Sequence, residues 1–197
     1  MNYLALLYLA GPAPDLITGG FIGDSVRGDV LQQLPATIQD GVLLHRAIDH
    51  FTDHHPVVRS SVARMRQRFG RYATVVADVF YDHFLARDFS RYHDQPLSDY
   101  ATSMAALLGK HVDIFPERSR RFYRYMVANN VLVSYANVSG IDKVLARMAE
   151  RTRFISHMDQ AGEELQHHYT DYDADFGLFF PELCKFASSE RAIRGFR

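Results

Sequence analysis

Pro35-Ala36-Thr37-Ile38-Gln39-Asp40-Gly41-Val42-Leu43-Leu44-His45-Arg46-Ala47-Ile48-Asp49-His50-Phe51-Thr52-Asp53 is the stretch whose period decides the fold. Its apolar residues Ile38, Val42, Leu44, Ile48 and Phe51 recur near helical spacing, and Pro35 suits a first helical turn. The same period continues on both sides. Downstream, Pro56 opens a second helix with Val58, Val62, Met65 and Phe69 on one stripe, and Gly70 ends it. A third helix is expected from about Tyr72 to Arg87. Upstream, Pro14 to Gly28 reads as helix, with Leu16, Phe21 and Ile22 apolar. Further helices are expected over Pro96 to Asp113, from Pro116, over Ile141 to Glu150 and over Arg153 to Tyr169. A last one from about Tyr172 carries Phe176, Phe179, Phe180 and Leu183. No segment shows period-two alternation bounded by hairpin turns. The expected fold class is all-α, a single helical domain over residues 1–197.

The totals agree with that class. A chain of 197 residues, 47% hydrophobic and 23% charged, is an ordinary globular composition with room for one substantial core. A formal net charge of -1 excludes a chain-wide electrostatic attraction to nucleic acid. Met1 to Ala10 is apolar, but it lacks a basic leader region, and Gly11-Pro12 interrupts it well short of a bilayer span. It reads as a buried helix, no membrane insertion is expected, and the expected location is the cytoplasm. The single cysteine, Cys184, cannot form an internal disulfide and reads as a small buried apolar residue.

Chemistry-bearing residues gather on two of these helices. His45, Asp49 and Asp53 stand at i, i+4 and i+8, so successive members differ by only about 40° and share one face. An imidazole and a carboxylate one turn apart can grip a divalent cation. Asp78 and Asp82 repeat the spacing on a second helix, with His83 following. Two carboxylates so placed repel each other unless solvent or a cation relieves them. In Gly23-Asp24-Ser25-Val26-Arg27-Gly28, a third carboxylate lies one turn from an arginine able to hold a phosphate oxygen. One His/Asp pair at this spacing is more often a surface pair than a metal site, and only the recurrence on a second helix favours the metal. Charge is also segregated. Arg59, Arg64, Arg66, Arg68 and Arg71 lie in a segment without acid, and Arg118, Arg120, Arg121 and Arg124 form a second cluster. Acid gathers at Asp159, Glu163, Glu164, Asp171, Asp173 and Asp175. The first cluster offers either a solvated helix face or a docking surface for an acidic protein, phosphate groups or nucleic acid.

The motifs resemble the acyl carrier protein phosphodiesterase family. The resemblance rests on Met1-Asn2-Tyr3-Leu4-Ala5, Gly23-Asp24-Ser25-Val26-Arg27-Gly28, His45-Arg46-Ala47-Ile48-Asp49 with Thr52-Asp53 and Pro56, and Asp78-Val79-Phe80-Tyr81-Asp82-His83-Phe84-Leu85. It is strongest over residues 1 to 90. It implies a divergent relative of the HD-domain phosphohydrolases. Such an enzyme uses a divalent ion, typically manganese, to hydrolyse the phosphodiester that joins 4′-phosphopantetheine to a serine of holo-acyl carrier protein. Its partner is acidic. The family's motif positions fall on Asp24, His45, Asp49, Asp78, Asp82 and His83. From these we expect Asp24, His45, Asp49, Asp78 and Asp82 as metal ligands, a hard-donor set that suits manganese or magnesium. Arg27 or Arg46 would balance charge developing at phosphorus, and His83 would donate a proton to the leaving oxygen or orient a ligand. The carrier protein would dock on Arg59, Arg64, Arg66, Arg68 and Arg71. One position departs from the family pattern: Leu6 stands where its opening motif carries histidine. Two other classes compete. One is a related phosphohydrolase acting on a nucleotide or small phosphodiester. The other is a non-catalytic helical module that binds an acidic protein.

Overall fold

A computed structural model describes residues 1–196. Its helices are Tyr3–Leu9 (α1), Pro14–Ile22 (α2), Ala36–His54 (α3), Pro56–Phe69 (α4), Ala73–Arg87 (α5) and Leu97–Gly109 (α6). They continue with Glu117–Ala128 (α7), Val131–Ser134 (α8), Val138–Ala149 (α9), Ala161–His167 (α10) and Tyr169–Ile193 (α11). No strand occurs among the described residues, so the all-α expectation holds. None of their helices is long and apolar enough to cross a membrane.

Two short-period choices build the centre. α1 buries Leu4, Ala5, Leu6, Leu7 and Leu9, and it packs against α2, α5 and α11. α5 is apolar around most of its circumference, with Val76, Ala77, Phe80, Tyr81, Phe84 and Leu85 all buried. A helix that is apolar on nearly every side belongs inside a bundle. α11 closes the core with Phe176, Phe179 and Phe180. Leu6 is part of this packing and presents only hydrocarbon.

α2 and α3 meet backbone to backbone. A Cβ on Gly19 would lie 2.2 Å from the Ile38 carbonyl oxygen, and one on Gly41 would lie 2.6 Å from that of Leu16. Only glycine allows this approach, and it brings the segment after α2 against the middle of α3.

Several boundaries differ from expectation for identifiable reasons. α2 stops at Ile22 rather than Gly28. A tight turn over Gly23–Ser25 follows, Arg27 is extended with φ −133°, and Gly28 takes φ +54°. The expected helix over Arg153 to Tyr169 does not form until Ala161. The Thr152 hydroxyl donates to the carbonyls of Ala149 and Phe154, closing α9, and His157 holds a left-handed φ of +56°. α11 begins at Tyr169 and runs on through Pro181. The carbonyl that proline leaves unpaired, on Gly177, is on the exposed side, where water can satisfy it. The short α8 follows Asn130 at φ +47° and has no period long enough to read in the sequence.

The basic helix α4 faces the acidic segment. Arg64 pairs with Asp175 at 2.9 Å, and that carboxylate also accepts a 2.6 Å hydrogen bond from Ser61. Arg68 pairs with Glu163 and approaches Glu164 at 3.7 Å. These two arginines join α4 to α10 and α11 and are only partly exposed, which corrects the reading of the whole cluster as one open docking face. Arg59, Arg66 and Arg71 remain exposed, with Arg71 stacked over Phe154 at 4.3 Å. Cys184 is half-buried rather than buried. Its thiol borders a groove with Tyr8, Tyr100 and Arg191, and desolvation pushes it up to about 11, away from reactivity.

Candidate metal centre

Three side chains from two segments converge. α3 carries His45 and Asp49 one turn apart, and the turn after α2 delivers Asp24. One donor atom from each lies within 4.8 Å of the others. His45 Nε2 is 3.0 Å from Asp49 Oδ2 and 3.4 Å from Asp24 Oδ1.

The imidazole is aimed by its other nitrogen. Nδ1 lies 2.8 Å from the Gly20 carbonyl, which only accepts, so Nδ1 carries the proton and donates it. This leaves Nε2 as the atom directed at the carboxylates, the arrangement by which metal-ligating histidines are oriented. Gly23 makes room for the ring: a Cβ there would fall 2.6 Å from His45 Cγ. The ring is 4% exposed. Burial opposes its charge, but hydrogen bonds to Asp24 and Asp49 outweigh that and lift it to about 10. The bond from His45 in turn holds the Asp24 carboxyl below its ordinary range. In the absence of an ion, an imidazolium therefore supplies the positive charge that the two carboxylates need. Two carboxylates and one oriented imidazole, open to solvent on the Asp24 side, fit a hard divalent cation with coordination positions to spare.

The other expected site residues separate into distinct roles. Asp78 lies beside the group: the Met1 nitrogen, an ammonium in this chain, bonds Asp78 at 2.9 Å and stands 3.8 Å from Asp49. Asp82 is fully buried and turned to backbone. It accepts from the amides of Leu4 (2.7 Å) and Ala5 (3.3 Å), capping the first turn of α1. Burial lifts its carboxyl to about 7 despite those bonds. His83 points elsewhere. Its Nδ1 meets the Tyr135 carbonyl and its Nε2 the Tyr169 hydroxyl, both at 2.8 Å, so neither ring nitrogen is directed at Asp24, His45 or Asp49. Arg46 reaches back to the Val26 carbonyl at 3.0 Å and ties the Asp24 segment to α3. Arg27 is exposed on that segment.

Sequence reasoning passed over three contributors. The Gly20 carbonyl and the empty Cβ position of Gly23 aim His45; the run of glycines at 19, 20 and 23 was the available signal. Arg118 is the third. Tyr3 stacks on Phe122 with ring centroids 3.9 Å apart, and Phe21 lies 5.9 Å from the same ring. The first turn of α7 is thus brought beside Asp24, and Arg118 acts electrostatically on both Asp24 and Tyr3. Asp53 stays exposed at the far end of the α3 face.

Comparison with known proteins places the chain in a family. Residues 1–183 match the family model described as acyl carrier protein phosphodiesterase. Proteins of that name show similarity along nearly the whole chain. One from Photorhabdus laumondii is 29% identical over 191 residues, covering 96% of this chain and 96% of that protein. One from Enterobacter sp. (strain 638) is 32% identical over 190 residues, covering 93% and 95%. One from Klebsiella pneumoniae (strain 342) is 30% identical over 195 residues, covering 97% and 100%. No solved structure matches. With a family model matched over residues 1–183 and relatives aligned end to end, the chain belongs to the acyl carrier protein phosphodiesterase family.

Proposed function

We propose that this protein hydrolyses the phosphodiester joining 4′-phosphopantetheine to a serine of holo-acyl carrier protein, using a manganese or magnesium ion held by Asp24, His45 and Asp49. The observation that carries the reading is the convergence of those three donors around an imidazole already aimed by the Gly20 carbonyl. Family membership supplies the substrate class.

When bound, the ion supplies charge for the phosphate oxygens and acidifies water. The chain's own groups do the rest. His45 presents Nε2 and keeps its proton on Nδ1, where Gly20 accepts it. Asp24 and Asp49 contribute hard oxygen donors, one from the turn after α2 and one from α3, both beside Nε2. Arg46 acts as a positioning residue, because its bond to the Val26 carbonyl holds the Asp24 segment in register with α3. Asp78 pairs with the Met1 ammonium, which stands 3.8 Å from Asp49, and so offsets a positive charge that would otherwise oppose a cation at the site. Arg27 stands exposed on the Asp24 segment, able to meet a phosphate oxygen as substrate arrives. Asp82 holds the first turn of α1 and is removed from the expected ligand set. His83 is given a packing role in place of the expected proton donor, because its nitrogens are engaged by the Tyr135 carbonyl just after α8 and the Tyr169 hydroxyl at the start of α11. Hydrolysis adds a hydroxyl to phosphorus and a proton to the serine oxygen, releasing apo-carrier protein and 4′-phosphopantetheine.

The test is incubation with holo-carrier protein and manganese, followed by mass measurement of the carrier. Loss of the phosphopantetheine mass, abolished by chelation and by His45→Ala, is the expected result. An unchanged mass with both manganese and magnesium sinks the proposal. Turnover of a nucleotide panel instead would move the reading to another phosphohydrolase substrate.

A further inference from the structure

α7 presents the most open basic surface near the candidate site. Its buried face is Ser119, Phe122, Tyr123 and Met126, which leaves Arg118, Arg121 and Arg124 on the side turned to solvent. Arg118 and Arg124 make no hydrogen bond or ion pair among the described residues. Arg121 has only Glu117, at 3.7 Å between two well-exposed groups, a contact of little strength. Glu117 is the sole acid on the helix. Arg147 of α9 adds a further cation, stacked on Tyr125 at 3.9 Å. The helix is also contiguous with the site. Phe122, one turn beyond Arg118, stacks on Tyr3, and Tyr3 lies two residues from the Met1 nitrogen that bonds Asp78. On α4, by contrast, Asp175, Glu163 and Glu164 neutralise the two central arginines.

We propose that the solvent face of α7, through Arg118, Arg121 and Arg124, is the docking surface for the acidic face of the carrier protein, with the Arg118 end placing the modified serine beside Asp24. This rests on the proposed function for the identity of the partner. Unpaired exposed cations steer and hold an acidic protein without first breaking internal ion pairs. The docked partner would also lie beside the Tyr3–Phe122 stack that joins α7 to the site.

The experiment measures two quantities on the full chain with manganese. One is the dissociation constant for fluorescently labelled holo-carrier protein. The other is the ratio of kcat/KM on the carrier to kcat/KM on bis(p-nitrophenyl) phosphate. The variants are Arg121→Glu/Arg124→Glu on α7 and Arg59→Glu/Arg66→Glu on α4. The expected result is that the α7 pair weakens binding and lowers the ratio by about tenfold or more, less so at high salt, while the α4 pair does less. If the α7 charge reversals unfold the protein, Arg121→Gln/Arg124→Gln carries the same test with a smaller expected loss. Wild-type binding by the α7 variants, or a larger loss from the α4 pair, overturns the proposal. The two readings fail differently. Carrier binding that depends on α7 without hydrolysis would sink the proposed reaction and leave the docking surface standing. Hydrolysis indifferent to α7 would do the reverse.

Discussion

Gly23→Ala isolates the aiming of His45 from the ligands themselves. The added methyl would lie 2.6 Å from His45 Cγ, 2.7 Å from Nδ1 and 3.0 Å from Cβ. Non-bonded carbons settle near 3.5–4.0 Å, so the ring must retreat by about 1 Å. A shift of that size takes Nδ1 out of hydrogen-bond range of the Gly20 carbonyl, now at 2.8 Å, and swings Nε2 away from both carboxylates. The backbone is no obstacle: Gly23 sits at φ −49°, ψ −45°, a region alanine prefers. Removing a glycine even favours folding by about 0.4–1 kcal/mol through the unfolded chain, which partly offsets the steric cost. The variant should therefore fold while its metal affinity falls. Losing a partner that orients a ligand costs about 10–100-fold in affinity, and misplacing a reacting group by ~1 Å costs on the order of 10²-fold in rate. Manganese titration calorimetry, kcat/KM on holo-carrier protein and a thermal melt read the three quantities separately. If the folded variant keeps manganese affinity and kcat/KM within about twofold of wild type, the role given to the Gly20–His45–Gly23 contact is wrong.

Four further outcomes follow from named contacts. Manganese binding near neutral pH should release about one proton, because His45 must give up the proton that its carboxylate neighbours hold up to about 10. Calorimetry in buffers of different ionisation enthalpy reads that number, and a value near zero refutes the ligand assignment. In the metal-free protein the same raised pKa stabilises the fold fully below about 6.5, and that contribution is lost as pH rises through about 10. Gly41→Ala should lower stability by at least about 1–3 kcal/mol, since its Cβ meets the Leu16 carbonyl at 2.6 Å and backbone cannot swing aside. A denaturant midpoint equal to wild type would contradict the close α2–α3 seam. Asp82→Asn should keep one of the two amide bonds to α1, lose the other because an NH2 cannot accept, and remove a titration. The Asp82 carboxyl is raised from 3.8 to about 7, so wild type loses its contribution as pH climbs through that window and the variant does not. Melting temperatures of the two proteins that run parallel between pH 4 and pH 8 would disprove it.

The apolar period of residues 35–53 and its neighbours was enough to read an all-α fold, because burial of one stripe is what makes those helices form. Boundaries were legible where a local residue sets them, as Gly70 does at φ +55°. They were illegible where a distant contact does. α2 ends early where Gly23 lies beneath a histidine more than twenty positions away, and Pro181 sits inside a helix whose exposed face tolerates a missing bond. The site divides the same way. His45, Asp49 and Asp24 come together because helical spacing and one short turn suffice. Asp82 and His83 look like their neighbours in sequence, yet one step of about 100° turns the first onto the amides of α1 and the second onto Tyr135 and Tyr169. The arginines of α4 show a related limit. Spacing places them on a helix, but only the packing of α11 shows that Asp175 waits opposite Arg64.

The backbone seam between Gly19 and Gly41 also has a mechanical side. It contains no side chains to re-pack and little free volume, so it is among the least compressible contacts in the bundle. The spacing between the Asp24 turn and His45 inherits that stiffness. Under hydrostatic pressure the partly exposed ion pairs joining α4 to α10 and α11 would hydrate and part first, while the donor group kept its dimensions until the core itself gave way.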